Sequence, residues 1–266
     1  MSNPGPIQLG TLFGAAHLDG ELSAESVQAL TINADIGAQI QAGLGVAPDD
    51  VPASQVVLVT MMPDDSGSIR FGGNAQRVRD GHNQVLEALK RAKQKDDILV
   101  HTRYLNGFVL YPYRRLDEAV CMDSHNYDPN LGTPLYDQIA VLLGTVLAKT
   151  RQFEDGGVPV RTVSLILTDG ADEGSVRQSP KTIRPIVEDM LRQEKHILAA
   201  MGIDDGSTDF KKVFRDIGIP DRWILTPGNS EQEVRRAFQT FSQSAVKASQ
   251  GAGHFSRAAL GGFGTP

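Results

Sequence analysis

From residue 56 onward the chain alternates between short, almost continuous apolar runs and longer segments whose apolar positions recur every three or four residues. The first kind reads as strands buried on both faces, the second as helices with one buried stripe. VVLVTMM, ending at Met62, is the first strand. Ala75 to Lys93 is the first helix, with Val78, Val85, Leu86 and Leu89 on its inner face. ILVHTRYLNGFVLYPY holds two strands around Asn106-Gly107, a dipeptide suited to a two-residue hairpin turn because both positions tolerate positive φ. Those strands must be antiparallel. Pro112 in the second cannot donate to a ladder and places it at the sheet edge.

The same alternation continues downstream. TPLYDQIAVLLGTVLAKT reads as a long helix with Leu135, Ile139, Leu142, Leu143 and Val146 on one face, and VRTVSLILTDG as a central strand. A helix from Thr182 to Lys195, the strand ILAAMGI, a short helix from Phe210 to Ile217, the strand RWILT and a helix from Glu231 to Ala248 follow. Val234, Phe238, Phe241 and Ala245 line the last helix. The pattern predicts an α/β fold: a doubly wound, mostly parallel six-stranded sheet with one antiparallel edge strand and helices on both faces, over residues 53–249. Residues 1–52 form an N-terminal extension with Ile32, Ile36, Ile40 and Leu44 four apart. Residues 250–266 form a flexible glycine-rich tail in which Phe255, Leu260 and Phe263 are spaced like a docking peptide.

Composition narrows the function classes. A chain of 266 residues can bury one full core. Its net charge of -6 and lack of a basic tract argue against a nucleic-acid partner gripped through phosphates. The single Cys121 can form neither an internal disulfide nor a two-cysteine zinc pair, and is expected to be a buried small hydrophobe. MSNPGPIQLG lacks a basic segment followed by an apolar core, and no apolar stretch reaches about 18 residues, so the expectation is a cytoplasmic protein with no membrane segment. Oligomeric state is open.

The chemistry lies where strands stop. After the first strand, PDDSGS places Asp64, Asp65, Ser66 and Ser68 together, and the central strand ends in Asp169 of LTDG. In open α/β sheets ligands bind beyond the carboxyl ends of the strands. Thr133, in GTPLYD ahead of the long helix, belongs to that same edge. Two carboxylates and three hydroxyls are hard oxygen ligands suited to Mg²⁺ or Mn²⁺.

The pattern Asp64-x-Ser66-x-Ser68, then Thr133, then Asp169 in TDG resembles the metal-ion-dependent adhesion site of von Willebrand factor type A domains. The resemblance covers residues 53–249 and fills all five positions of the motif. It implies a protein-binding module of a bacterial intracellular type, not an enzyme. The ion would be held by Asp64, Ser66, Ser68, Thr133 and Asp169, some through water, and an Asp or Glu of a partner protein would complete its coordination. It further implies assembly beside an ATPase or in a stress or defence complex, and a last helix able to shift. Asp65, at a variable position of the motif, adds a charge that would either tighten ion binding or repel an acidic partner.

Plainer readings exist for each piece. The serines could serve turns and caps, Thr133-Pro134 suits a helix start, and Asp169-Gly170 is an ordinary turn pair. Alternatives for the whole are a Mg²⁺-dependent hydrolase or phosphotransferase on a similar sheet, or a structural domain without functional metal. Ser66 stands where an aspartate phosphatase needs its second Asp, and neither a G-x-S-x-G elbow nor a phosphate-binding G-x-x-x-x-G-K-[ST] loop occurs. His82, His101 and His125 read as structural, and Asp172 and Glu173 as a solvated loop.

Overall fold

The computed structural model describes residues 8–32 and 34–263. Three helices come first: α1 (Leu9–Leu18), α2 (Ala24–Thr31) and α3 (Ala34–Gly43). Then follow β1 (Val56–Pro63), α4 (Asn74–Lys90), β2 (Ile98–Arg103), β3 (Val109–Arg115), α5 (Leu135–Asp155), β4 (Val160–Thr168) and α6 (Pro180–Arg192). The chain continues through β5 (His196–Gly202), α7 (Phe210–Asp216), β6 (Ile224–Leu225), α8 (Glu231–Ser249) and α9 (Ala252–Gly261).

The six strands form one sheet in the order β3-β2-β1-β4-β5-β6, with β3 antiparallel to β2 and every other pair parallel. The fold class read from the sequence is borne out, as is the edge position of Pro112. β1 and β4 are the central pair, and β1, β2 and β5 are buried along their whole length, which is why they contain almost no polar alternation. From this pair the chain moves outward in opposite directions, through α4 to β2 and through α6 to β5. Right-handed crossovers therefore set those helices on opposite faces. α4 packs with α8, and α5 with α6.

Four expectations need correction. The hairpin does not turn in two residues: Tyr104 N donates to Phe108 O (2.7 Å) and Gly107 N to Tyr104 O (2.9 Å), with positive φ at Gly107 (92°) but not at Asn106. A three-residue loop with glycine in the left-handed region leaves Asn106 at negative φ. The strand expected at RWILT shrinks to Ile224–Leu225, because Trp223 belongs to a 3-10 turn. Cys121 is exposed rather than buried.

The tail is the fourth correction, since residues 252–261 form α9 on α8. Phe255 is 2% exposed, Phe263 meets the Trp223 ring edge-on at 5.0 Å, and Phe263 N donates to Arg222 O at 2.8 Å. Two aromatic anchors thus order a segment whose glycines suggested mobility.

The N-terminal helices share the central core: Phe13, Leu30, Ile36 and Ile40 join the same buried cluster as β1 and β4. Ile32 is half exposed, so only Ile36, Ile40 and Leu44 of the four-residue series point inward. The buried Asp189 of α6 accepts from Ser23 N (2.6 Å), Ser23 Oγ (2.8 Å) and Ser26 Oγ (2.6 Å), fastening the start of α2. Among the described residues no helix is long and apolar enough to cross a membrane.

Candidate metal centre

β1 and β4 run side by side and the chain departs from them in opposite directions, so their carboxyl ends mark the point where an open sheet leaves a crevice. The register pairs Pro63 with Leu167, which brings Asp64 level with Thr168. Asp64 is fully buried: its Oδ1 accepts from Ser66 N (2.7 Å) and its Oδ2 from Thr168 Oγ1 (2.6 Å). The buried Tyr127 hydroxyl donates to the Asp64 carbonyl.

Ser66 and Ser68 share a hydrogen bond between hydroxyls at 2.9 Å, and Ser68 Oγ donates to Asp169 Oδ1 at 2.6 Å. Ser66 makes no side-chain cap, although the backbone turns into a 3-10 segment behind it. A continuous polar chain thus links Asp64, Ser66, Ser68 and Asp169 across two strand ends.

Thr133 arrives by a different route. Its carbonyl accepts from Leu135 N (2.8 Å) and Glu173 N (2.9 Å), a bridge that ties the loop before α5 to the one after β4. The helix-cap reading fails for its side chain, because Asp172 and Ser175 serve the exposed amides of α5 instead: Tyr136 N donates to Asp172 Oδ1 (3.3 Å) and Asp137 N to Ser175 Oγ (3.0 Å). Thr133 is 6% exposed, lines one cleft of about 460 Å³ with Ser68 and Asp169, and makes no side-chain hydrogen bond among the described residues. The structure therefore groups all five predicted residues at one edge, four of them in direct contact and Thr133 across the cleft.

Electrostatics point the same way. Burial raises the carboxyls of Asp64 and Asp65, and it pushes Asp169 up to about 6, with the charges of Asp64 and Asp205 adding to the effect. Among the described residues none of the three forms an ion pair with a Lys or Arg. Buried carboxylates normally have a cationic partner, since an uncompensated charge in low dielectric is expensive. The donor set would fit a divalent ion. Both oxygens of Asp64 already accept protein donors, which leaves their remaining lone pairs for a water that such an ion would carry. Among the described residues no three His, Cys, Asp or Glu side chains converge, which leaves any ion here dependent on hydroxyl oxygens and water.

Sequence reasoning missed Thr168, Tyr127 and Asn106. Thr168 was concealed as the last residue of an apolar strand. Tyr127 and Asn106 reach the site from distant loops, and no local spacing announces them.

No protein-family model and no curated protein matches the chain. Solved structures do. The chain is similar to the pilus adhesin SpaC from Lactobacillus rhamnosus GG, with 14% identity over 74% of this chain and 31% of that one and a TM-score of 0.53. It is also similar to proximal thread matrix protein 1 from the mussel byssus (15% identity, 72% and 46% covered, TM-score 0.45). A third is the manganese-loaded TRAP protein of Plasmodium vivax (17% identity, 71% and 74% covered, TM-score 0.44). The chain spans under half the length of the adhesin and of the mussel protein.

Proposed function

We propose that this chain, whose fold is that of von Willebrand factor type A domains, is a divalent-ion-dependent protein-binding module. The observation that carries the reading is the pair of buried, uncompensated carboxylates, Asp64 and Asp169, joined through Ser66 and Ser68 and facing a Thr133 hydroxyl free of other duty. Asp64, Ser66, Ser68, Thr133 and Asp169 would hold Mg²⁺ or Mn²⁺. Bound there, the ion would supply a positive point of attachment for a carboxylate.

The occupant of that position is an Asp or Glu of a partner protein. Two carboxylates balance the charge of the ion and the hydroxyls add none, so the draw on a partner carboxylate is an open coordination position on the ion, strongest where an aspartate binds only through water. The surroundings suit a macromolecule: Phe71 beside the cleft is 76% exposed, and Leu131, next to the Thr133 loop, 53% exposed. Apolar side chains left exposed near a polar centre offer surface that a partner protein would cover.

Water-proton relaxation of Mn²⁺ tests both halves. Wild type is expected to enhance relaxation on binding Mn²⁺, and excess acetate to reduce the enhancement by replacing a metal-bound water. Enhancement surviving intact in Asp64→Ala or Asp169→Ala rules out this site, and indifference to acetate rules out the carboxylate position.

A further inference from the structure

The residue between Asp64 and Ser66 is acidic, yet its carboxylate turns away from the serine hydroxyls. Asp65 is 5% exposed, and its Oδ1 accepts two hydrogen bonds from one residue: Asn106 N at 2.9 Å and Asn106 Nδ2 at 2.8 Å. The same Nδ2 donates to Gly132 O at 2.7 Å. Asp65 also acts through its main chain, where its carbonyl accepts from Asn130 N (3.0 Å) and Leu131 N (3.2 Å). Three segments far apart in sequence therefore meet at Asn106: the exit of β1, the tip of the β2–β3 hairpin, and the residue immediately before Thr133.

The hairpin makes this possible. Gly107 takes the positive φ of the turn and leaves Asn106 free to aim its amide inward. A hydrogen bond to a charged acceptor is worth roughly twice a neutral one, and Asn106 spends its two amide donors on one carboxylate and one carbonyl. Thr133 itself has no side-chain tie; its carbonyl is held from the α5 side by Leu135 N and Glu173 N, and its place relative to Ser66 and Ser68 depends further on what holds Gly132 and on Leu131, whose carbonyl accepts from Gly67 N at 2.9 Å.

We propose that Asn106 is a positioning residue: with Asp65 as acceptor it brackets the Thr133 loop against the Ser66–Ser68 loop and sets the opening of the ion site, and Asp65 works as that acceptor rather than as charge for the ion. The assignment of the opening to an ion rests on the function proposed above; the bracket itself does not.

Three variants separate bracket from charge. Asn106→Ala and Asp65→Ala remove it, whereas Asp65→Asn keeps an oxygen acceptor at Oδ1 and removes only the charge. Amide hydrogen exchange of residues 130–133, measured in EDTA, reads the bracket without metal; calorimetric titration with Mg²⁺ reads its consequence. Both alanine variants are expected to speed exchange of the segment and to weaken Mg²⁺ by about tenfold, the scale of one hydrogen bond to a charged group. Asp65→Asn, whose neutral oxygen keeps the bond at roughly half its strength, should bind Mg²⁺ about threefold more weakly than wild type, and the double alanine variant should lose no more than either single one, as for two ends of one interaction. If Asp65→Asn falls as far as Asp65→Ala, charge is the role and the proposal is overturned. It is overturned equally if Asn106→Ala matches wild type in exchange. Wild type that binds no Mg²⁺ while Asn106→Ala still speeds exchange refutes the ion reading and supports the bracket.

Discussion

Ser68 donates its hydroxyl to Asp169 at 2.6 Å across 101 residues of sequence, so the loop after β1 and the end of β4 are fastened to each other by the protein alone. The bond assembles two carboxylates in one buried place, where the charge of Asp64 acts against that of Asp169.

Removing the charge while keeping the shape should therefore stabilise the metal-free protein. Asp169→Asn retains an acceptor for Ser68 and is expected to raise stability in EDTA by about 1–2 kcal/mol, the usual exchange of function for stability at such sites. The same variant should lose any stabilisation by Mg²⁺. Urea denaturation with and without Mg²⁺ checks both statements.

Ion binding should weaken in acid. Burial holds Asp169 up to about 6, so below that pH an incoming ion must displace a proton. Affinity for Mn²⁺ should be level from about pH 7 upward and then fall, approaching tenfold per pH unit as one proton is exchanged. Titrations across that range would show it, and an affinity flat down to about pH 5 would not fit.

Three buried histidines govern acid stability elsewhere. Burial lowers His82 to about 4, His101 to about 3 with Arg103 adding to it, and His196 to about 3 with Lys195 adding to it. Each is neutral in the fold and takes up a proton near pH 6.5 only when unfolded. Their contribution is thus complete above about 6.5 and is lost as pH falls toward 3 to 4. The raised carboxylates of the site act in the opposite sense between about pH 4 and 6, so the useful comparison is wild type against His196→Gln, in which they cancel. The variant should lose less stability than wild type between pH 7 and 5.

The contact of α4 with α8 leaves no room for a methyl group. A Cβ at Gly81 would stand 2.1 Å from the Phe238 ring. Gly81→Ala should cost about 2–3 kcal/mol through overpacking, and Phe238→Leu in the same chain should recover part of it.

The tail separates packing from docking. Phe255→Ala should cost about 3 kcal/mol, as expected for emptying a buried aromatic position. Leu260→Ser, 76% exposed on the same helix, should change stability by less than about 0.5 kcal/mol. Equal effects from the two would mean that α9 does not sit as described.

What could be read in the sequence follows from how locally each feature is encoded. Strand ends and helix stripes are local patterns, so β1, β4 and the loop residues Asp64, Ser66, Ser68 and Asp169 were legible, and the crevice rule placed Thr133 with them. Asn106 was read as a turn former because turn propensity is a backbone property, whereas its amide acts on a carboxylate 41 positions earlier. Thr133 matched a helix cap on sequence, and only the packing of Asp172 and Ser175 against α5 frees it from that task. The docking of α1–α3 was hidden because one apolar stripe does not name its partner. Cys121 misled because residue type sets a preference for burial, not a location.

Whether the β1 and β4 ends hold a divalent ion is tested most directly by calorimetric titration of Mg²⁺ into wild type and into the Ser66→Ala/Ser68→Ala double variant, near pH 7.5. One site is expected in wild type and none in the variant, with both proteins folded by circular dichroism. Uptake of the ion by the variant with wild-type affinity, or no uptake by wild type at millimolar Mg²⁺ and Mn²⁺, would contradict an ion site there.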